Sequence, residues 1–289
     1  MTRDLSRIGV AGLGTMGAGI VQLCVEAGFE TVAFDTSQAA GDRAAERIGH
    51  FLKRKVEKGT LEAGADVAAL ERLSPTTELS ALAGCDFVIE AVFEDLEIKR
   101  ALFAALEDVV SADAILATNT SALSVTSVAA ATASPQRVVG MHFFNPAPLM
   151  ALVEVVRAEQ SAVTAVETAV ELARRLGRQP VVCADTPGFI VNRTLIPLLN
   201  DCVRILDETG VSAEDLDRAL ELGAGWPMGP ARLLDLVGLD IHLHAAQALY
   251  GKLREARMAP PPRVVRMVDA GKLGRKTGEG FYRYDAAAE

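Results

Sequence analysis

The chain has 289 residues, of which 50% are hydrophobic and 23% are charged. This balance is typical of a globular protein with a substantial core and argues against a disordered chain. Acidic residues outnumber Lys and Arg by 38 to 29, for a formal charge of −9. Nucleic-acid binding depends largely on neutralising phosphates, so we expect no nucleic-acid partner.

The first two-thirds of the chain alternates apolar, strand-like segments with amphipathic, helix-like ones. Such alternation predicts an α/β domain in which a doubly wound parallel sheet has helices on both faces. Strands are predicted at 7–11, 30–34, 85–92, 114–118 and 137–143, and helices at 15–27, 38–58 and 96–110.

The pattern changes near Asp185, and from there on helical periodicity dominates. Asp185 or Thr186 is a suitable helix cap and Pro187 fits a first helical turn, so a helix is predicted to begin there. We therefore predict a first domain over 1–184 and a smaller, all-α second domain over 185–289. One short strand, at 281–284, is the only strand considered for the second domain.

The cysteines indicate a reducing compartment. Cys24, Cys85, Cys183 and Cys202 lie far apart in apolar stretches, which favours buried thiols over metal ligands or disulfides. The N-terminus reads as a strand and turn, not a signal peptide, and no apolar run has the length of a membrane span. A cytoplasmic protein without a metal or a membrane partner is expected.

A glycine-rich turn follows the first strand. Gly12, Gly14 and Gly17 enclose Leu13, Thr15 and Met16 in the pattern G-x-G-x-x-G, and a helix follows. Such glycines permit a tight turn, close approach of a pyrophosphate and close helix–strand packing, and they are typical of a Rossmann-type dinucleotide site. Asp35 closes the next strand, where an acid accepts hydrogen bonds from ribose hydroxyls and repels a 2′-phosphate. NAD is therefore favoured over NADP.

Further motifs give the chain a family resemblance over nearly its whole length. It resembles the 3-hydroxyacyl-CoA dehydrogenase family, in the short bacterial form that acts on 3-hydroxybutyryl-CoA. The matching stretches are GLGTMGAGI at 12–20, EAVFEDLEIK at 90–99, NTS at 119–121, GMHFFNP at 140–146, LVEVV at 152–156, DTPGFIVNR at 185–193, PMGP at 227–230 and GKLGRKTG at 271–278. Ala231 departs from the family, which commonly has a bulky aromatic residue there.

The resemblance implies reversible oxidation of an L-3-hydroxyacyl-CoA to a 3-ketoacyl-CoA, with four residues in named roles. His142 would be the general base, since histidine titrates near neutral pH, and Glu154, twelve residues later, would orient its ring from an adjacent strand. Ser121 would bond the substrate oxygen at C3, and Asn192 would hold the substrate carbonyl from across an interdomain cleft. The structural alternatives are a packed histidine, a solvent-facing edge-strand carboxylate, a helix cap near Leu123 and an interhelical hydrogen bond.

The same resemblance implies further contacts to the cofactor and to CoA. The residues implied to line the cofactor are Glu94, Lys99, Asn119 and Asn145. Lys99 could instead be an ordinary exposed helix lysine. Lys53 and Lys58, on the long basic helix, could meet the CoA phosphates or could simply be solvated.

Two other functions share these sequence features. The β-hydroxyacid dehydrogenases open with a similar glycine turn but use a second-domain lysine, which is absent beside Asn192. A non-catalytic, crystallin-like NAD-binding protein would have no need for the polar set described above. The family usually dimerises through its second domain, and apolar helix positions predict a homodimer here: Ile190, Leu195, Leu198, Leu199 and Ile205.

Overall fold

The computed structural model describes residues 5–284. The chain divides into two compact units, Met1–Phe189 and Ile190–Glu289. The domain boundary at residue 185 stays a prediction. Among the described residues, none of the helices combines the length and hydropathy needed to span a bilayer.

The described part of the first unit contains one eight-stranded sheet. Its strands are β1 (Arg7–Ala11), β2 (Glu30–Phe34), β3 (Leu73–Thr76), β4 (Phe87–Glu90), β5 (Ile115–Thr118), β6 (Val138–Phe143), β7 (Leu152–Arg157) and β8 (Gln179–Ala184). Their order is β3-β2-β1-β4-β5-β6-β7-β8. Neighbouring strands are parallel except for β6 and β7, which are antiparallel.

Helices cover both faces of this sheet. They are α1 (Thr15–Glu26), α2 (Gln38–Glu57), α3 (Ala65–Glu71), α4 (Leu96–Val109), α5 (Val125–Ala129) and α6 (Val163–Arg175). Successive strand residues point to opposite faces: Ile89 packs in the core with α1, α2, α3 and α6, while Val88 packs with α4 and α5. The predicted doubly wound, Rossmann-type sheet is confirmed.

The structure adds elements that the sequence patterns did not predict separately. The sequence predicts β7 only as a strand adjacent to β6, and it does not predict α3, β3, α6 or β8. Because β7 runs antiparallel to β6, the sheet is mixed and not wholly parallel. All predicted strands and helices of this unit are present, with small shifts at their ends.

The second unit is helical, as predicted. Its helices are α7 (Val191–Thr209), α8 (Ala213–Ala224), α9 (Pro230–Val237), α10 (Leu239–Leu253) and α11 (Pro262–Asp269). The helix start predicted at Asp185–Pro187 is wrong: Gly188 and Phe189 have positive φ values of 77° and 49°. A right-handed helix cannot include such residues, so α7 begins at Val191.

The C-terminal part of the described residues is held by a buried carboxylate, that of Asp235, instead of by a strand. Asp235 accepts hydrogen bonds from the backbone of Phe281 and Tyr282, both at 2.9 Å, and from the Tyr284 hydroxyl at 3.0 Å. The strand considered at 281–284 reduces to an isolated bridge between Glu279 and Arg283. Ala231, the departure from the family, is buried in this unit.

The cysteines of the described residues are all free thiols. Cys24, Cys85 and Cys202 are buried, as predicted, whereas Cys183 is half-buried. Burial raises the pKa of Cys24 to about 12 and the pKa of Cys85 to about 11. These two thiols therefore stay protonated and unreactive near neutral pH.

The five apolar positions that predicted a dimer, Ile190 just before α7 and four on it, divide into two groups. Leu199 is buried and Leu195 packs against the core of the second unit, so these two are satisfied within the unit. Ile190, Leu198 and Ile205 are instead 40–43% exposed. The apolar surface that predicted a dimer is thus smaller than expected, and it comprises these three residues of the original five.

Candidate active site

Polar side chains collect at one edge and on one face of the sheet. Glu90 ends β4, Thr118 ends β5 and His142 lies near the end of β6, and these three strands are parallel neighbours. By strand alternation, all three side chains belong to the face covered by α4 and α5. The carboxyl ends of parallel strands are where doubly wound sheets bind ligands.

His142 and Glu154 are brought together by the register of β6 and β7. They are directly opposite in the antiparallel pair, so their side chains point to the same face. Nδ1 of His142 lies 2.7 Å from Oε2 of Glu154, and both residues are buried. Because β8 covers the other side of β7, the alternative of a solvent-facing edge-strand carboxylate is excluded.

Ser121 lies on the other side of the His142 ring. Its hydroxyl oxygen is 3.1 Å from Nε2 of His142, and unlike the histidine it is exposed. Ser121 is not the helix cap that was considered as its alternative role. Ser124 caps α5, because its hydroxyl accepts the hydrogen bond from Ser127 N. A carboxylate, an imidazole and an exposed hydroxyl thus form a continuous series that ends at the surface.

The glycine-rich turn has the geometry of a dinucleotide cradle. Gly12 has φ +96°, and a Cβ there would meet the backbone of Ala91 at 2.7 Å. A Cβ on Gly17 would clash with the Gly12 carbonyl oxygen, so α1 can pack this closely only with glycine there. A Cβ on Gly14 would meet nothing, which leaves open space before the uncapped N-terminus of α1. That space, beside backbone N–H groups, fits a pyrophosphate.

Asp35 is fixed beside this turn. Its Oδ2 accepts a hydrogen bond from Leu13 N at 2.8 Å, and its Oδ1 accepts one from Ser37 N at 2.9 Å. Each carboxylate oxygen can accept a second bond. The Asp35 carboxylate is therefore oriented by the backbone and can still accept hydrogen bonds from ribose hydroxyls.

Glu94 and Lys99 lie in a hydrogen-bond network. Lys99 has no exposed surface, and its Nζ lies 2.7 Å from Oε1 of Glu90 and 3.4 Å from Oε2 of Glu94. The alternative of an exposed helix lysine is wrong. Contact of Lys99 or Glu94 with a cofactor stays a prediction, and the Glu94 side chain, 38% exposed, is the more accessible of the two.

The remaining predicted residues lie in separate places. Asn119 accepts a hydrogen bond from Phe143 N at 3.0 Å and so ties the ends of β5 and β6 together, and Asn145 is exposed just after β6. In the glycine turn Thr15 is exposed and Met16 is half-buried. Lys53, on α2, and Lys58, just after that helix, are both exposed.

Asn192 lies in the first turn of α7, in the second unit. Its side chain is half-buried, and among residues 5–284 it makes no interhelical hydrogen bond of the kind considered for it. Its role in holding substrate stays a prediction.

Sequence reasoning missed Glu90, Thr118 and Thr120 as members of the site. Glu90 accepts hydrogen bonds from Thr118 Oγ1 and Val92 N, both at 2.7 Å, and from Lys99. The available signal was an acidic residue inside an apolar strand, which is costly unless the charge is paired. Glu154, inside the apolar strand β7, shows the same signal.

A glycine cradle, a backbone-oriented aspartate beside it and a hydrogen-bonded histidine–glutamate pair at the strand ends are together typical of a nicotinamide-dependent dehydrogenase. Comparison with known proteins identifies its family. Residues 7–186 match the NAD-binding domain model of 3-hydroxyacyl-CoA dehydrogenase, and residues 188–284 match the C-terminal domain model. The chain belongs to the 3-hydroxyacyl-CoA dehydrogenase family, and its cofactor is NAD.

Similar proteins span the full length of the chain. A 3-hydroxybutyryl-CoA dehydrogenase of Mycobacterium tuberculosis is 42% identical, with 98% of this chain and 100% of that protein covered. A crystal structure of (S)-3-hydroxybutyryl-CoA dehydrogenase from Ralstonia eutropha superposes with a TM-score of 0.94 at 37% identity, covering 98% and 100%. A 3-hydroxyadipyl-CoA dehydrogenase of Escherichia coli is 42% identical over 100% of this chain and 61% of its own length.

The family match decides between the functions considered from the sequence. Both units match 3-hydroxyacyl-CoA dehydrogenase models, so the chain is not assigned to the β-hydroxyacid dehydrogenases. The chain is an NAD-dependent enzyme, which argues against a purely structural, crystallin-like role. Its relatives are named for different acyl groups.

Proposed function

We propose that this protein catalyses reversible oxidation of a short-chain L-3-hydroxyacyl-CoA, such as 3-hydroxybutyryl-CoA, to the 3-ketoacyl-CoA. The observation that carries the proposal is the Ser121–His142–Glu154 series, with distances of 3.1 and 2.7 Å. The names of the relatives support the substrate class.

The geometry supports an acid–base role for His142. An ionised carboxylate can only accept hydrogen bonds, so Glu154 at 2.7 Å places the ring proton of a neutral imidazole on Nδ1. Nε2 is then left with its lone pair facing Ser121 and the exposed side of the site. A base must lie within hydrogen-bond reach of the proton that it removes, and Nε2 is the ring nitrogen that satisfies this condition.

Each residue then has a distinct task in the reaction. NAD, when bound, would supply the acceptor for the hydride that leaves C3 of the substrate. Nε2 of His142 takes the proton of the C3 hydroxyl, while Ser121 donates a hydrogen bond to that oxygen. Glu154 stabilises the imidazolium and, in the reverse direction, holds it ready to return the proton. Asn192 holds the substrate carbonyl.

Kinetics with acetoacetyl-CoA and NADH test the proposal. We expect His142→Gln to lower kcat by about 10²–10⁴-fold, the range for a lost general acid–base, and Glu154→Gln to lower kcat with less effect on KM. His244→Gln is the matched control, because His244 is exposed on α10 in the other unit. A chain-length series of 3-ketoacyl-CoAs then defines the acyl preference.

Two outcomes would contradict the proposal. If the wild-type protein reduced no 3-ketoacyl-CoA, the proposed substrate class would be wrong. Wild-type turnover in a correctly folded Glu154→Gln variant would show that the carboxylate does not orient the base.

The basic residues Lys53 and Lys58 are proposed as CoA phosphate contacts, and the cytoplasm stays the predicted compartment.

A further inference from the structure

A charged pair is buried beneath the proposed active site. Glu90, at the end of β4, and Lys99, on α4, both lack exposed surface, and Lys99 Nζ lies 2.7 Å from Glu90 Oε1. Burial raises the pKa of Glu90, opposed by the charge and hydrogen bond of Lys99 and by the bonds from Thr118 and Val92. Buried charges persist only when they are paired and hydrogen-bonded, so each member of this pair requires the other.

Lys99 also contacts a second carboxylate, which holds the chain segment that carries Ser121. Nζ of Lys99 lies 3.4 Å from Oε2 of Glu94. The other oxygen of Glu94 accepts hydrogen bonds from the Thr120 hydroxyl, from Ser121 N at 2.8 Å and from Ala122 N at 3.1 Å. A single oxygen therefore gathers three donors from consecutive residues, and it can do so most strongly when the carboxylate is ionised.

The charge state of Glu94 follows from these contacts. Burial alone would raise the pKa of Glu94, but the Thr120 hydroxyl, the Lys99 ammonium and the N–H groups of Ser121 and Ala122 together hold that pKa below its ordinary value. Lys99, on α4, is in ion-pair contact with Glu94 and also with Glu90, which ends β4. Removing Lys99 would therefore raise the pKa of Glu94 and weaken its hold on the segment.

We propose that Lys99 is a positioning residue, anchored by Glu90, which acts through Glu94 to hold the Ser121 hydroxyl at hydrogen-bond distance from Nε2 of His142. The inference rests on the function proposed above and adds a residue that acts beneath the site. Glu90 fixes the ammonium group, the ammonium fixes Glu94, and Glu94 fixes the backbone of Ser121. Since Lys99 has no exposed surface and no direct contact with Ser121 is seen among the described residues, its effect on Ser121 passes through Glu94.

The chain offers a matched control at the other end of the same helix and sheet. Glu107, on α4, accepts hydrogen bonds from Ala133 N and Ser134 N and pairs with the buried Arg137, which precedes β6. Its architecture is the same: a carboxylate holds a loop while a buried cation holds the carboxylate. The loop, however, lies at the end of β6 opposite to His142.

The first test compares Lys99→Met with Arg137→Met in the reduction of acetoacetyl-CoA by NADH. We expect Lys99→Met to lower kcat by about tenfold to a hundredfold, because small displacements of a reacting group have effects of this size. In this direction His142 must be protonated, so acid does not remove its function. As the pH is lowered, kcat should begin to fall at a higher pH in Lys99→Met than in wild type, because Glu94 without its ammonium partner is protonated at a higher pH. Arg137→Met should change neither kcat nor the pH profile.

The second test separates positioning from support of the fold. In Lys99→Met the Glu90 carboxylate loses its partner, and Glu90→Gln in the same chain removes that buried charge. We expect the double variant to regain stability while its low kcat persists. A cycle of Lys99→Met with Glu94→Gln should be strongly non-additive in kcat, since both changes break one chain of contacts. Recovery of kcat together with stability, or additive effects of Lys99→Met and Glu94→Gln, would overturn the proposal.

A readout that needs no turnover keeps this inference separate from the proposed function. In ¹⁵N-histidine-labelled protein, assigned by His142→Gln, the Nε2 resonance of His142 reports the hydrogen bond with Ser121. Lys99→Met should shift it toward the value in Ser121→Ala, and Arg137→Met should not. If wild type turns over acetoacetyl-CoA but Lys99→Met leaves this resonance and kcat unchanged, the positioning role fails alone. If the resonance shifts in a protein that turns over no 3-ketoacyl-CoA, the proposed function fails alone.

Discussion

The buried histidine of the second unit makes the stability of that unit depend on pH. His242 on α10 is 2% exposed, and its Nε2 lies 2.9 Å from Oδ1 of Asn200. The Asn200 amide nitrogen donates toward the carbonyls of Arg257, Met258 and Ala259. These carbonyls fix the amide so that its oxygen faces the ring, and the ring must then donate from Nε2. Burial lowers the pKa of His242 to about 4.

The size of the effect follows from this pKa. An unfolded histidine has a pKa of 6.5, so the unfolded chain binds the proton at a pH where the folded chain does not. The contribution of neutral His242 to the free energy of unfolding is therefore fully present above the unfolded pKa. It declines as the pH falls below that value and is almost entirely lost once the pH reaches the folded pKa, about 4. A difference of about 2.5 units corresponds to roughly 3 kcal/mol, of which about 2 kcal/mol is lost by pH 5.

The assay uses the single tryptophan of the chain, Trp226, which packs against the core of the same unit. Urea unfolding followed by its fluorescence at fixed protein concentration gives the free energy of unfolding at pH 7 and pH 5. His242→Gln should lower stability at pH 7 but flatten its dependence on pH, whereas His244→Gln, at an exposed position of the same helix, should keep the wild-type dependence. An equally steep decline in wild type and His242→Gln would refute the reasoning.

Three further predictions concern cofactor choice, substrate binding and assembly. Wild type should prefer NADH to NADPH in reducing acetoacetyl-CoA, and Asp35→Ala should narrow that preference; equal use of both by wild type would contradict the role of Asp35. Asn192→Ala should lower kcat/KM by the equivalent of roughly 1–3 kcal/mol, the range for an unmade buried hydrogen bond, and should leave NADH affinity nearly unchanged. If a titration shows that NADH affinity falls as much as kcat/KM, Asn192 is a structural residue. Light scattering at micromolar concentration should give twice the 30.6 kDa chain mass, since Ile190, Leu198 and Ile205 expose apolar surface; a monomeric mass would exclude the homodimer.

Local patterns predicted much of the first unit because they carry its main constraints. Apolar strands alternating with amphipathic helices imply a doubly wound sheet, and the turn at Gly12–Gly17 requires glycine for steric reasons that a sequence displays directly. The pairing of His142 with Glu154 was also within reach, since twelve residues allow a turn and an adjacent strand. These features depend on contacts between neighbouring segments.

The features that were missed depend on tertiary contacts. Lys99 occupies a helix position that reads as exposed, and only the packing of α4 over Glu90 shows that its ammonium is buried. At Asp185 the sequence resembles a helix cap, yet its carboxylate accepts hydrogen bonds from Ser124 Oγ and Thr126 N, 59 to 61 residues earlier. A cap motif has the same appearance whether it binds its own helix or a distant one.

The antiparallel pairing of β6 and β7 constrains the two strands much more than the connection between them. A slip of one residue in this pair would send one side chain of the His142–Glu154 pair to the opposite face, so the distance between the two side chains depends on the strand register. The connection between the two strands, 144–151, emerges at the same edge of the sheet as Ser121 and exposes Leu149 and Met150. Changes there can alter the surface at this edge while the register keeps His142 and Glu154 paired. One scaffold can in this way serve relatives named for different acyl groups.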